Sequence, residues 1–249
     1  MFDFEIQDGV LTWYKGEAEN VEIPSAVTRI GVGAFQDSGV VRVTLHNNIT
    51  RIHREAFKNC YRLQEINIPD SVTRIDQYAF FDCKALASVR LPDGLDNIRE
   101  GTFCRCISLE SVVLPENLRL ISAYAFQGCA ALSDIVLPDS IEEIRELAFG
   151  GCKRLEISAL PAGLRHLDAL AFFQCERVTD LKIGDALTEF NGLSLFDSVK
   201  TLRVSEHRLD EILQILNEPE QHELSPRYEC ASYSKGDSWR IENGTIVRI

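Results

Sequence analysis

The sequence predicts an α/β repeat that is rich in β-structure: a solenoid of about eight 23-residue coils with a cap at each end. Three observations predict it. The stretch Leu109–Leu132, LESVVLPENLRLISAYAFQGCAAL, recurs as Leu86–Leu109 before it and Leu132–Leu155 after it. The shared pattern is L-x-x-V-x-L-P-x-x-L-x-x-I-x-x-x-A-F-x-x-C-x-x-L. A phenylalanine column holds the register at Phe35, Phe57, Phe80, Phe103, Phe126, Phe149 and Phe172, with a first step of 22 residues and later steps of 23. A cysteine column follows at Cys60, Cys83, Cys106, Cys129, Cys152 and Cys175, with Ser38 and Ser198 at its ends. A fixed period in this range marks stacked structural units, none of which can bury an apolar face alone.

The chain opens with FDFEIQDGVLTWY, residues 2–14, in which Asp8-Gly9 between apolar alternations signals a hairpin. Residues 1–20 read as the N-terminal cap, with Trp13 and Tyr14 covering the open end of the core. The coils occupy residues 21–204. In each, x-V-x-L alternates as a half-buried strand does. A proline just beyond removes a backbone donor and stops the ladder. That proline is present in six of eight copies; His46 and Gly184 replace it in the others. Stacked strands lie roughly 4.8 Å apart, so every repeat position becomes a column. The second segment, L-x-x-I, points two polar residues outward, and its Arg29, Arg51 and Arg74 make a short basic row that should meet local acidic partners. Phenylalanine fills the bulk of each coil, after a small residue suited to a crowded site. The slot after Phe172 falls on Leu195, with Phe196 beside it.

Fidelity decays after Cys175, and residues 205–249 read as the C-terminal cap. His207–Asn217 carries apolar residues at 209, 212, 213 and 216, an amphipathic helix that Glu218-Pro219 ends. A polar loop runs to Arg227, and Trp239–Ile249 reads as a second hairpin on Asn243-Gly244.

With these segments in view, the chain resembles the BspA-like leucine-rich-repeat proteins, whose repeats carry the same I-x-L-P, L-x-x-I and A-F-x-x-C segments. The resemblance spans about Phe4–Val204. It implies a bacterial protein built as a curved, right-handed solenoid with the x-V-x-L-P strands on the concave face. It also implies recognition of partners, often at surfaces, and no catalytic residues to carry over.

Composition narrows the function. A net charge of −12 and a pI near 4.9 disfavour nucleic acid and anionic membranes, which demand a basic face. No apolar run approaches a membrane span. The start, MFDFEIQDGV, lacks the basic and long apolar regions of a secretory signal, so a cytoplasmic protein is expected, or a surface or secreted one if a leader has been removed. The thiols are then expected to stay free. One cysteine per coil does not converge on a metal, and Cys104-Arg105-Cys106 is a weak metal signal. Cys104 and Cys230 fall outside the column and are the candidates for a reactive thiol. No nucleophile elbow or phosphate-binding glycine loop is present. Neither catalysis nor a cofactor nor a metal is expected.

The informative columns flank the inward strand residue. One reads Glu22, Thr44, Asn67, Arg90, Val113, Val136, Ala159, Lys182; the other reads Asn20, Arg42, Glu65, Ser88, Ser111, Asp134, Ile157, Asp180. Val113, Val136, Ile157 and Ala159 form an apolar stretch, rimmed by Arg90, Asp134 and Lys182. Valines on a wet sheet face can reflect strand propensity alone. A small apolar patch inside a charged rim is also how interaction sites look. The expected function is therefore a non-catalytic module that presents this face to a protein or peptide, as a monomer or weak homodimer. The alternative is a structural protein that self-associates through its C-terminal strands.

Overall fold

The computed structural model describes residues 3–168, 170–190, 198–217, 239–242 and 245–248, and the repeats form a β-solenoid of about eight turns. Leu195, Phe196, Cys230, the loop to Arg227 and the Asn243-Gly244 turn lie outside the described residues.

Each coil bonds to the next on three sides. The first side is the predicted strand column, from Asn20–Glu22, Arg42–Thr44 and Glu65–Asn67 onward to Asp180–Lys182 and Thr201–Arg203, in parallel register. Only the middle residue of each strand points inward: Val21, Val43, Ile66, Val89, Val112, Ile135, Leu181 and Leu202 are all buried. Coil 7 is the exception. Its middle slot holds Ser158, which is exposed, and its strand shrinks to a single bridge between Ala159 and Lys182.

The second side is a further strand column that the sequence pattern did not reveal. It consists of two-residue strands, from Arg29–Ile30, Arg51–Ile52 and Arg74–Ile75 to Glu189–Phe190. It divides into two sheets between Arg74–Ile75 and Asn97–Ile98. The third side is a run of turns, with no helix in any described coil. There the backbone N–H of each phenylalanine from Phe35 to Phe149 donates to the alanine or threonine carbonyl of the following coil, as in Phe103 to Ala125 at 2.8 Å and Phe126 to Ala148 at 2.7 Å.

Left-handed residues bracket that Ala-Phe pair, two before and two after the phenylalanine. In coil 5 they are Tyr124 (φ 60°) and Gly128 (φ 74°), and in coil 4 Gly101 (φ 58°) and Arg105 (φ 64°). Glycine fills these slots only sometimes; elsewhere a tyrosine, leucine or glutamate holds a conformation that L-residues seldom adopt. Inter-coil hydrogen bonds and the buried ring over-determine it.

The rings stack as a continuous spine. From Phe57 to Phe172, successive centroids lie 5.2–5.5 Å apart and planes within 10° of parallel. Strand spacing fixes the coil rise near 4.8 Å, a repeat at which flat rings can meet face over face. Tyr14 extends the spine at the N-terminus, 4.9 Å from Phe35, and Phe4 lies 5.4 Å beyond it. The hairpin Phe4–Gln7 and Val10–Tyr14 supplies both rings. Its turn residues, Asp8 (φ 49°) and Gly9 (φ 72°), take the positive φ values that a tight two-residue turn requires. Trp13 does not share the capping role expected of it and is 49% exposed. The pairing skips Thr12, running Ile6 to Leu11 and then Glu5 to Trp13. This bulge shifts the alternation and turns Tyr14, not Trp13, onto the face of buried Leu11.

At the C-terminus a 3-10 turn, Glu206–Arg208, leads into the helix Leu209–Asn217, and Leu209 and Ile212 join the core. Thr245–Arg248 pairs antiparallel with Thr201–Arg203, setting buried Ile246 beside Leu202. Among the described residues, Trp239–Glu242 is the outermost strand of that sheet.

Candidate interaction surface

Alternation along the first column turns the residues on either side of the buried one toward solvent. Val113 and Val136 are 54% and 79% exposed, among the most exposed large apolar side chains described. Val113 pairs across the ladder with Arg90, whose guanidinium binds Asp70 at 2.7 Å and Asp93 at 3.0 Å. Asp134 is exposed and accepts from the Ser111 hydroxyl at 3.1 Å. Ala159 and Lys182 are exposed and bridge to each other. Ile157 corrects the expectation: it is half-buried and packs against the core. Its neighbour in the inward slot, Ser158, has no apolar surface to bury, so Ile157 turns in instead, and coil 7 loses regular pairing. The apolar stretch therefore reduces to Val113 and Val136, with Ala159 beyond them.

The basic row on the second column does meet an acidic partner. Asp76 is buried, with Arg74 Nε at 2.6 Å and Arg51 at 2.7 Å; His53 and Arg99 stand at 3.7 and 3.9 Å. Burial pushes the Asp76 carboxyl up, and the Arg74 and Arg51 bonds outweigh it, holding the group below its ordinary value. Burial, with Arg51 next in effect, pulls the His53 imidazole down. Three coils further on from Arg99, His166 contacts carboxylates at both ring nitrogens: Glu189 at 2.5 Å and Asp168 at 2.6 Å. Burial opposes its protonation, and these two carboxylates overcome that and raise its pKa. Asp76 escaped the sequence reading because it follows its strand rather than lying in the predicted motif.

The cysteine column is buried throughout. Each thiol donates to the phenylalanine carbonyl of the preceding coil, at 3.0–3.2 Å. Cys104, one of the two expected reactive thiols, is only 5% exposed, and burial pushes its pKa to about 12. A thiolate is the nucleophile, so such a thiol is inert. Among the described residues, no group of three or more His, Cys, Asp or Glu side chains could hold a metal ion, and no helix is long and apolar enough to cross a membrane.

The comparisons with known proteins agree with this architecture. A family model described as a BspA type leucine rich repeat region matches in six copies, over residues 5–129 and 85–203. A solved leucine-rich repeat protein from T. pallidum is 30% identical over 69% of this chain and 83% of its own, with a TM-score of 0.63. One from Eubacterium ventriosum is 24% identical over 67% of this chain, with a TM-score of 0.61; it shares the fold, and the match spans 46% of its length. No curated protein matches. With its 23-residue period, phenylalanine spine and cysteine column all in register, the chain belongs to the BspA-type leucine-rich repeat family.

Proposed function

We propose that this chain is a non-catalytic recognition module that binds a protein or peptide on the outward face of its first strand column, around coils 5 and 6. The observation that carries the reading is the exposure of Val113 and Val136, at 54% and 79%, in a column otherwise held mostly by polar residues. The core has no use for them, since Val112 and Ile135 fill the inward slots. Arg90, Asp134 and Lys182 supply a polar rim, the usual setting for a few apolar anchors. Burial of the seven described cysteines, with their thiols given to core hydrogen bonds where bonded, fits work in a reducing compartment. The test is capture from native lysate with the wild-type chain and with Val113→Glu/Val136→Glu. Loss of specific partners by a folded variant supports the site; retention of every partner refutes it.

A second reading, self-association through the C-terminal strands, has one observation behind it. Among the described residues Trp239–Glu242 is the last strand of its sheet, and a sheet edge is a template for another chain.

A further inference from the structure

The second strand column presents outward residues of its own, one before and one after each inward isoleucine or leucine. In the first four coils these include Arg29, Arg51, Arg74 and Arg99, and their column carries one carboxylate, Asp76. In the last three coils the balance inverts: Glu143, Asp168 and Glu189 face Arg145 and His166. The sheet itself divides inside the basic half, between Arg74–Ile75 and Asn97–Ile98.

Local pairing does not cancel either excess. Arg51 and Arg74 share the single Asp76, and Arg29 donates to the Asp8 carbonyl at 3.2 Å, a bond that leaves its charge uncompensated. At the other end Glu189 touches His166 yet keeps 70% of its side chain exposed. One face of an acidic protein thus carries a basic half and an acidic half, separated by the neutral Asn97 and Leu120.

We propose that this face pairs with the same face of a second copy of the chain, the two solenoids running antiparallel. A two-fold axis parallel to the strands, between coils 4 and 5, reverses the order of coils and lays the faces together. Because coils are evenly stacked, residues equidistant from that axis oppose one another. Arg29 then meets Glu189 of the partner subunit, and Arg74 meets the partner's Glu143. Each contact occurs twice, as an isologous interface requires. This surface lies on a different side of each coil from Val113 and Val136, so the two readings stand or fall separately.

Sedimentation velocity on the full chain tests the pairing. The native protein should form a dimer that dissociates with added salt, as the screening length shrinks from about 10 Å at 0.1 M to about 3 Å at 1 M. Arg29→Glu and Glu189→Arg should each weaken the dimer roughly tenfold, since each change turns two attractions into two repulsions. An equimolar mixture of the two variants should recover association, as should the chain carrying both changes; neither recovery is possible from misfolded protein. A monomer at every salt concentration overturns the proposal. So does a dimer indifferent to both reversals, which would move the contact to the C-terminal strands, or an open assembly larger than a dimer.

Discussion

The thiol of Cys129 donates to the backbone carbonyl of Phe103, one coil back, at 3.1 Å. The same carbonyl accepts the backbone N–H of Cys106 at 3.2 Å, so both its lone pairs are used inside a dry core. The relationship repeats at every described cysteine of the column. A residue in this slot must be small, tolerate full burial and still donate to a carbonyl, and cysteine meets all three demands.

These thiols should therefore be silent in the native state. Burial raises Cys60 to about 11 and Cys83, Cys129 and Cys152 well above the ordinary value. Cys104 should be equally silent. A thiol reagent at mildly alkaline pH is expected to modify these positions only as fast as the chain unfolds. Rapid labelling of Cys129 or Cys104 in the folded protein would contradict the buried arrangement. Cys129→Ala should cost about 1–2 kcal/mol in urea melts, from a lost donor and a small void.

The spine makes a second prediction. Phe126 lies between Phe103 at 5.5 Å and Phe149 at 5.3 Å; Phe35 lies between Tyr14 and Phe57, each at 4.9 Å. Both are essentially inaccessible. Truncating either to alanine should cost about 3–5 kcal/mol. The cap ring makes the first coil as well packed as a central one, so the two losses should be similar. A much smaller loss at Phe35 would mean that Tyr14 does not close the stack.

His166 predicts a pH dependence. Its folded-state pKa is raised above the ordinary 6.5, because the bonds to Glu189 and Asp168 outweigh burial. Its contribution is therefore fully present below about pH 6.5 and is lost as pH rises through the raised value. His53 has the opposite sign, since burial and Arg51 lower it, so the whole-protein profile mixes the two. The stability difference between wild type and His166→Gln separates them. It should be largest near pH 6 and shrink toward pH 8. A difference that grows with pH would contradict the contacts drawn for this ring.

Much of the fold was legible because each coil repeats the same choices. The phenylalanine and cysteine columns and the inward Val112 and Ile135 all followed from spacing. The second strand column did not, because a two-residue strand such as Arg51–Ile52 has no alternation to detect. The left-handed slots were hidden for a related reason: Tyr124 and Leu147 occupy them, and neither side chain signals positive φ. The Asp76 cluster and the thiol-to-carbonyl bonds join residues of different coils, and no local pattern encodes such contacts. At the candidate site, the outward setting of Val113 and Val136 followed from alternation. Ile157 departed from it because Ser158 could not fill the core.

The central claim is that stability resides in the ring and thiol columns, while Val113 and Val136 are surplus to folding and free for recognition. Urea unfolding of Val113→Glu/Val136→Glu beside the native chain tests it most directly. Solvent-facing substitutions away from special features usually change stability by about 0.5 kcal/mol or less each. The expected result is a variant that unfolds cooperatively within about 1 kcal/mol of native. A loss of several kcal/mol, comparable to that of Phe126→Ala, would place these valines in the core and contradict the claim.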